Sequence, residues 1–453
     1  MNHVITRRSL LRMGAGTLGL LGCGGRLARL GLLNAQVVEP TPDYKAVVCI
    51  FLMGGNDSNN MVVPIQTALQ GYGAYQAVRG SPLGLTMPSL AQIATPGGDV
   101  YGLHPSLAPL HALYQRNRLA VVANVGNLIQ PLTKSQFAAG QALAPRNLFS
   151  HADQQQQWQT LPGNTTGWGG RAADILRSMN LSSSFPTGIS TAGNAAFLSG
   201  QMTTQASISN GGLGLAGTDG SAASLARNNA FQQILSFGSG LSLVQTLNQN
   251  TANGLETGQI LGSALAGGGA MTTVFPQTGL GMQLQQIARI LKVRSSLGMS
   301  RQIFFVSQGG FDTHVSQSMQ QLGLFKELAD AMAAFDLATE ELGLDGKVVT
   351  FTESEFGRTF LPSTGGGSDH AWGSHHLVMG GALSAADVYG QFPELSIGGP
   401  NDVSMRGVWL PSTSLDQYAA TIAAWFGVPA GSLTSVFPNL PNFAQPTLGF
   451  LQG

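Results

Sequence analysis

VVTFTESEFGRTFLPSTGGGSDHAWGSHHLVMGGAL, Val348 to Leu383, opens as an apolar, β-branched run and breaks off into Glu353, Ser354, Glu355 and Arg358. A Gly-rich loop then brings Asp369, His370, His375 and His376 in front of a second apolar run. Only 10% of the chain is charged and it holds eight histidines, so ionisable groups packed this densely are a signal. Open α/β sheets build metal and catalytic sites by presenting carboxylates and imidazoles at strand ends. The stretch therefore predicts a central strand whose end carries the chemistry, with the remaining chain as scaffold and supplementary ligands.

The same pattern recurs on either side. Lys45 to Leu52 (KAVVCIFL) reads as a strand buried on both faces and runs into Met53-Gly54-Gly55-Asn56-Asp57. Two glycines and an acid at a strand end are either a plain turn or a seat for a hard oxygen ligand. Gln302 to Ser307 (QIFFVS) is another buried strand, ending in Gly309-Gly310-Phe311-Asp312-Thr313-His314. Leu119 to Val125 is a further one, and helical spacing marks Leu103–Arg118, Gly281–Leu297, Gln317–Leu342 and Leu415–Phe426. Strands alternating with helices predict a mostly parallel sheet with right-handed crossovers. From Ser182 to Thr273 the chain turns to Gly, Ser, Ala, Asn, Thr and Gln, which reads as an insertion or cap over the active edge.

Taken together, Asp57, Asp312, His314, Glu355, Asp369, His370 and His375 or His376 suit one or two divalent metal ions. Mixed carboxylate and imidazole fits Zn, Mn or Fe, with Mg or Ca at an all-oxygen position. Two ions can clamp the attacking and leaving oxygens of a phosphoryl or sulfuryl centre. Arg358 either holds an anionic oxygen bidentately or pairs with Glu353 or Glu355. Ser150, in NLFSHADQQQQW, is either a helix N-cap with Asp153 in the reciprocal position or a nucleophile at a helix start. His104 and His111 read as packing or capping residues.

Bulk properties narrow the field. Net charge is zero and no basic stripe occurs, which argues against nucleic acid. No Gly-x-Gly-x-x-Gly follows a strand, and neither a Walker sequence nor a Gly-x-Ser-x-Gly elbow is present. The two cysteines, Cys23 and Cys49, exclude a disulfide framework, because Cys23 lies in an N-terminal address segment. That segment, residues 1–35, places Thr6-Arg7-Arg8-Ser9-Leu10-Leu11-Arg12 before a mild apolar run, the pattern of a twin-arginine export signal. The run is too short to span a bilayer, and no transmembrane segment is expected in the mature chain. Cleavage after Ala35 would leave one domain, residues 36–453; Leu20-Leu21-Gly22-Cys23 also resembles a lipobox, which would start a lipoprotein at Cys23. The expected location is periplasmic or secreted, with the twin-arginine translocase as partner during export.

Arg7-Arg8-Ser9-Leu10-Leu11, FLMGGNDSNNMVVP, GLHPSLAPLHALY, SHADQQQQW, GGFDTH, ESEFGRT and SDHAWGSHHLVMGGAL resemble, in order, the signature blocks of the domain-of-unknown-function 1501 family. That family is placed within the alkaline phosphatase superfamily. The resemblance implies a three-layer α/β/α sandwich, alkaline phosphatase- or sulfatase-like, with a mostly parallel sheet and metal ligands at strand ends. It matches Asp57 to the superfamily's first-strand aspartate and Asp312 with His314 to an Asp/His metal pair, here more closely spaced than usual. Glu355-Phe356 stands where an Asp-His pair is usual, and since Phe cannot ligate, that position is altered. His370 or His376 resembles the final histidine ligand. Ser150 fits the nucleophile by position, with Ser58 and Thr313 as alternatives. The resemblance implies an exported metal-dependent hydrolase acting on an anionic phosphate or sulfate ester of a small molecule or glycan. The alternative is a non-catalytic exported protein that keeps the fold and binds a cell-envelope glycan or a partner.

Overall fold

Lys45–Leu52 (β1) is buried almost end to end, because its alternating side chains face apolar layers on both sides. Ala46, Val48, Ile50 and Leu52 enter one core, and Val47, Cys49 and Phe51 enter the other. The structure is a computed structural model that describes residues 43–140, 144–180, 183–208, 221–238 and 240–452. The twin-arginine stretch, Cys23 and the Ala35 junction lie outside the described residues. Residues Pro42–Gly453 gather into one compact unit.

The strands that follow β1 are β2 (Val62–Gln66), β3 (Ala91–Ala94), β4 (Val100–Leu103), β5 (Leu119–Gly126), β6 (Gly188–Ser190), β7 (Gln205–Ser207), β8 (Arg301–Gln308), β9 (Val348–Glu353), β10 (Ser374–Met379), β11 (Val388–Gly390) and β12 (Thr413–Ser414). The main sheet has the order β11-β5-β10-β9-β1-β8-β6-β7, with β12 also on β5. β1 pairs in parallel with both β8 and β9, and β6 in parallel with β7 and β8. β10 is the exception, antiparallel to both β5 and β9. The carboxyl ends of β1, β5, β8 and β9 therefore meet at one edge of the sheet, and β10 enters from that same edge.

Helices cover both faces, which makes the expected three layers. Ala108–Gln115, Gly279–Lys292 and Gln317–Glu341 pack on one core; His151–Thr160, Trp168–Ile175 and Leu415–Phe426 pack on the other. Leu415–Phe426 is bounded as its sequence requires: Ser414 and Gln417 form a capping box, and Gly427 ends it at φ 119. No helix of the described residues is long and apolar enough to cross a membrane.

Two features differ from the sequence reading. β2, β4 and β3 form a separate antiparallel sheet. Within the stretch read as an insertion, β6 and β7 extend the main sheet beyond β8, ahead of the helices Ala222–Ser236 and Ser242–Gly267. Strands of three residues are too short to carry a hydrophobic period, so composition alone could not reveal them.

Candidate metal centre

Three strand-end turns are stitched together before any ligand is in place. Gly54 has φ 121, and a Cβ there would fall 2.2 Å from the amide nitrogen of Asp312, so the turn after β1 lies directly on the turn after β8. The amide of Gly54 donates to Glu355 Oε1 at 2.8 Å, which ties in the turn after β9. Arg358 completes the knot. Fully buried, it donates through Nε to Gly55 O at 2.9 Å, through one terminal nitrogen to Ser368 O at 2.8 Å, and through the other to Gly54 O and Asp312.

On this knot stand three imidazoles aimed at one carboxylate. His151 Nε2 lies 3.5 Å from Asp312 Oδ2, while His314 Nε2 and His370 Nε2 lie 3.0 and 3.4 Å from Asp312 Oδ1. His314 Nε2 and His370 Nε2 are themselves 3.0 Å apart. Each ring is anchored by its other nitrogen: His151 Nδ1 on Glu355 Oε1 at 3.0 Å, His314 Nδ1 on Asp369 Oδ1 at 3.2 Å, and His370 Nδ1 on the carbonyl of Phe149 at 2.8 Å. Carboxylates and carbonyls only accept, so each Nδ1 must donate, and in the neutral ring the lone pair sits on Nε2. With the rings neutral, three lone pairs and a carboxylate face one another without a donor among themselves, and a cation would satisfy all of them. This is the pattern of metal-binding histidines oriented by an outer carboxylate or carbonyl.

Burial reinforces the neutral form of His370, whose pKa lies below the ordinary imidazole value because burial disfavours the cation and the Arg358 guanidinium adds positive charge nearby. For Asp312, burial pulls the pKa upward, but the hydrogen bond and charge of Arg358 outweigh it, so the group is held below the usual carboxylate range. The ligand atoms of His151, Asp312 and His370 all lie within 4.8 Å of one another. Imidazole mixed with carboxylate suits Zn, Mn or Fe. Phe356 forms the floor: it stacks on His370 at 4.4 Å between centroids and packs against His151 at 4.9 Å. The residue that cannot ligate thus fixes two rings that can.

The expected residues fall into groups. Asp312, His314 and His370 converge, while Glu355 and Asp369 stand behind them as anchors of His151 and His314. Asp57 is a correction. Both its oxygens are taken by Arg79, at 2.7 and 2.8 Å, with Asn59 on Oδ1 and Gln317 on Oδ2. It also caps the turn Ser58–Met61, so it serves as a buried ion pair and not as an open ligand. His376 is likewise turned away. It lies on β10 in the apolar layer, 4.9 Å from the ring of Trp158 and 5.7 Å from that of Tyr418. His375 takes the amide of Asn124 on Nδ1 at 2.9 Å. Arg358 is committed to the backbone knot and Asp312, not to an open anion seat.

Ser150 shows the capping alternative: its Oγ donates to Asp153 Oδ2 at 2.6 Å, and it caps the helix His151–Thr160. Ser58 is buried, and Thr313 Oγ1 is bonded to Gln317 at 3.2 Å. The residue that sequence reasoning missed is His151. It stands at the first position after a helix cap, where nothing in the sequence sets it apart from an ordinary helix start.

A family model described as "Protein of unknown function (DUF1501)" matches residues 44–408. No curated protein matches the sequence. Among solved structures, the chain is similar to the lipoteichoic acid synthase LtaP from Listeria monocytogenes, at 8% identity and TM-score 0.32 over 86% of this chain and 80% of that one. It is also similar to the alkaline phosphatase from the Antarctic bacterium TAB5, at 11% identity and TM-score 0.29 over 77% of this chain and 94% of that one. These are likenesses of fold, and nothing about activity passes from them to this chain.

Proposed function

The chain belongs to the DUF1501 family, whose members are described as of unknown function, and from that starting point we propose that it is a metal-dependent hydrolase of phosphate or sulfate esters. One observation carries the proposal: three Nε2 atoms and the Asp312 carboxylate face one another at the sheet's carboxyl edge, each ring fixed by its Nδ1. His151, Asp312, His314 and His370 would hold one or two divalent ions. When bound, such an ion supplies Lewis acidity, lowers the pKa of water and stabilises charge on phosphoryl or sulfuryl oxygens. Glu355, Asp369 and Phe149 O keep the three rings in one tautomer and orientation, so little rearrangement is needed when charge develops. The side chains of Asp312 and His314 are 49% and 42% exposed, so an ester can approach from solvent.

In this reading the attacking group is water, and the Ser150 hydroxyl caps the helix His151–Thr160 and donates to Asp153. Water adds its oxygen to the phosphorus or sulfur, the ester bond breaks, and the leaving alcohol takes a proton. The substrate is an anionic ester of a small molecule or a glycan. The N-terminal arginine pair extends the proposal to export by the twin-arginine translocase and action in the periplasm or outside the cell, with a lipidated Cys23 as a variant of the same route.

Turnover of aryl phosphate and aryl sulfate by the purified protein tests the reading. Hydrolysis of one of them, abolished by EDTA and restored by a divalent ion, is expected. A protein that binds the ion with neither turnover would contradict catalysis and favour a binding role on the same fold.

A further inference from the structure

If a substrate is anionic, something must read its charge, and Arg358 is buried and committed. A guanidinium with open donors beside the cluster belongs to Arg406. Its side chain is 43% exposed, and one terminal nitrogen pairs with Asp369 Oδ2 at 2.6 Å. Asp369 in turn holds His314 through its other oxygen, so Arg406 stands one carboxylate away from the imidazole cluster. A guanidinium has five N–H donors in a planar fork that matches two oxygens of a phosphate or sulfate.

The loop that carries Arg406 is built to hold it there. Asp402, fully buried, accepts from the amides of Gly398, Ser404 and Val408 at 2.9, 3.0 and 3.1 Å. Met405 and Gly407, on either side of Arg406, take φ 63 and 72. Gly407 presses on Phe360, where an added Cβ would fall 2.3 Å from the Phe360 Cβ. Backbone bonds from Phe360 N to Gly407 O at 3.1 Å and from Leu361 N to Arg406 O at 3.0 Å fasten the turn beside the site. A left-handed backbone at a methionine is uncommon and carries a cost, which this loop sustains to project one exposed cation.

Building on the hydrolase reading above, we propose that Arg406 is the residue that recognises the substrate's oxyanion, with Asp369 as its partner until substrate arrives. Substrate exchanges one carboxylate for two non-bridging oxygens taken by the fork. The class favoured is an ester with three terminal oxygens, a phosphate monoester or a sulfate monoester. A diester has just two, and would have none to spare for the metal side once both were on the fork.

The test measures inorganic phosphate and sulfate binding by calorimetry, with metal content by mass spectrometry, for wild type, R406Q and R406K. R406Q should keep its metal and weaken oxyanion binding about ten- to hundredfold, as for loss of a charged hydrogen-bond pair. R406K, which keeps the charge but not the fork, should fall between them. Equal oxyanion affinity in wild type and R406Q, at equal metal content, would overturn the role of Arg406 and leave the metal site standing. A wild type that carries no metal would instead overturn the hydrolase reading.

Discussion

Asp57 and Ser150 each have two possible occupations, and single substitutions separate them. Asp57 is locked to Arg79 with both side chains at 0% exposure. Removing one partner of such a pair strands a buried charge at a cost of about 3–5 kcal/mol. Asp57→Ala should therefore lower stability in chemical denaturation by that order, while the folded fraction keeps its metal; loss of metal without loss of stability would restore Asp57 to the ligand set. Ser150→Ala should lower stability by about 1 kcal/mol, as for a lost N-cap, and leave turnover of an aryl ester largely intact. Abolished turnover with unchanged stability would make the hydroxyl the nucleophile. Much of the cluster was legible in the sequence because Asp312, His314, Glu355, Asp369 and His370 crowd into two short stretches of a charge-poor chain. His151 and Arg406 were not, since each reaches the site through tertiary placement of an element that looked ordinary on its own.

At the scale of elements, β9 and β10 carry ionisable groups into the apolar layers on both faces of the sheet. Burial raises the Glu353 carboxyl to about 8 and holds the imidazoles of His375 and His376 down to about 3. The two shifts act in opposite directions. Glu353 is protonated in the folded chain at neutral pH, so its contribution is complete below its ordinary value of 4.5 and is lost as pH rises through about 8. The histidines contribute above their ordinary value of 6.5 and lose that contribution as pH falls toward about 3. In denaturation measured from pH 5 to 9, Glu353→Gln should gain on wild type by about 1 kcal/mol per pH unit up to roughly pH 8. A difference independent of pH would show that Glu353 is not buried as a neutral acid. β1, β5, β8 and β9 could be read from the sequence because a strand covered on both faces is a continuous apolar run. The antiparallel sense of β10 could not, since direction leaves no period. β6 and β7 are too short to show a period, and β2, β3 and β4, at five, four and four residues, are little longer.

The whole molecule gathers side chains from positions 151, 312, 314 and 370 by ending parallel strands at one edge and starting a helix beside it. The three-layer architecture positions the cluster, and the turns at Gly54 and Arg358 make it rigid. The account stands on these side chains binding a cation together. The most direct measurement is metal stoichiometry by mass spectrometry on purified wild type, His151→Ala and an Asp312→Asn/His370→Ala double variant, with circular dichroism on each. Wild type should carry at least about one tightly held divalent ion per chain, lost or strongly depleted in both variants while the far-ultraviolet spectrum is unchanged. A metal-free wild type, or equal metal in all three proteins, would contradict the account.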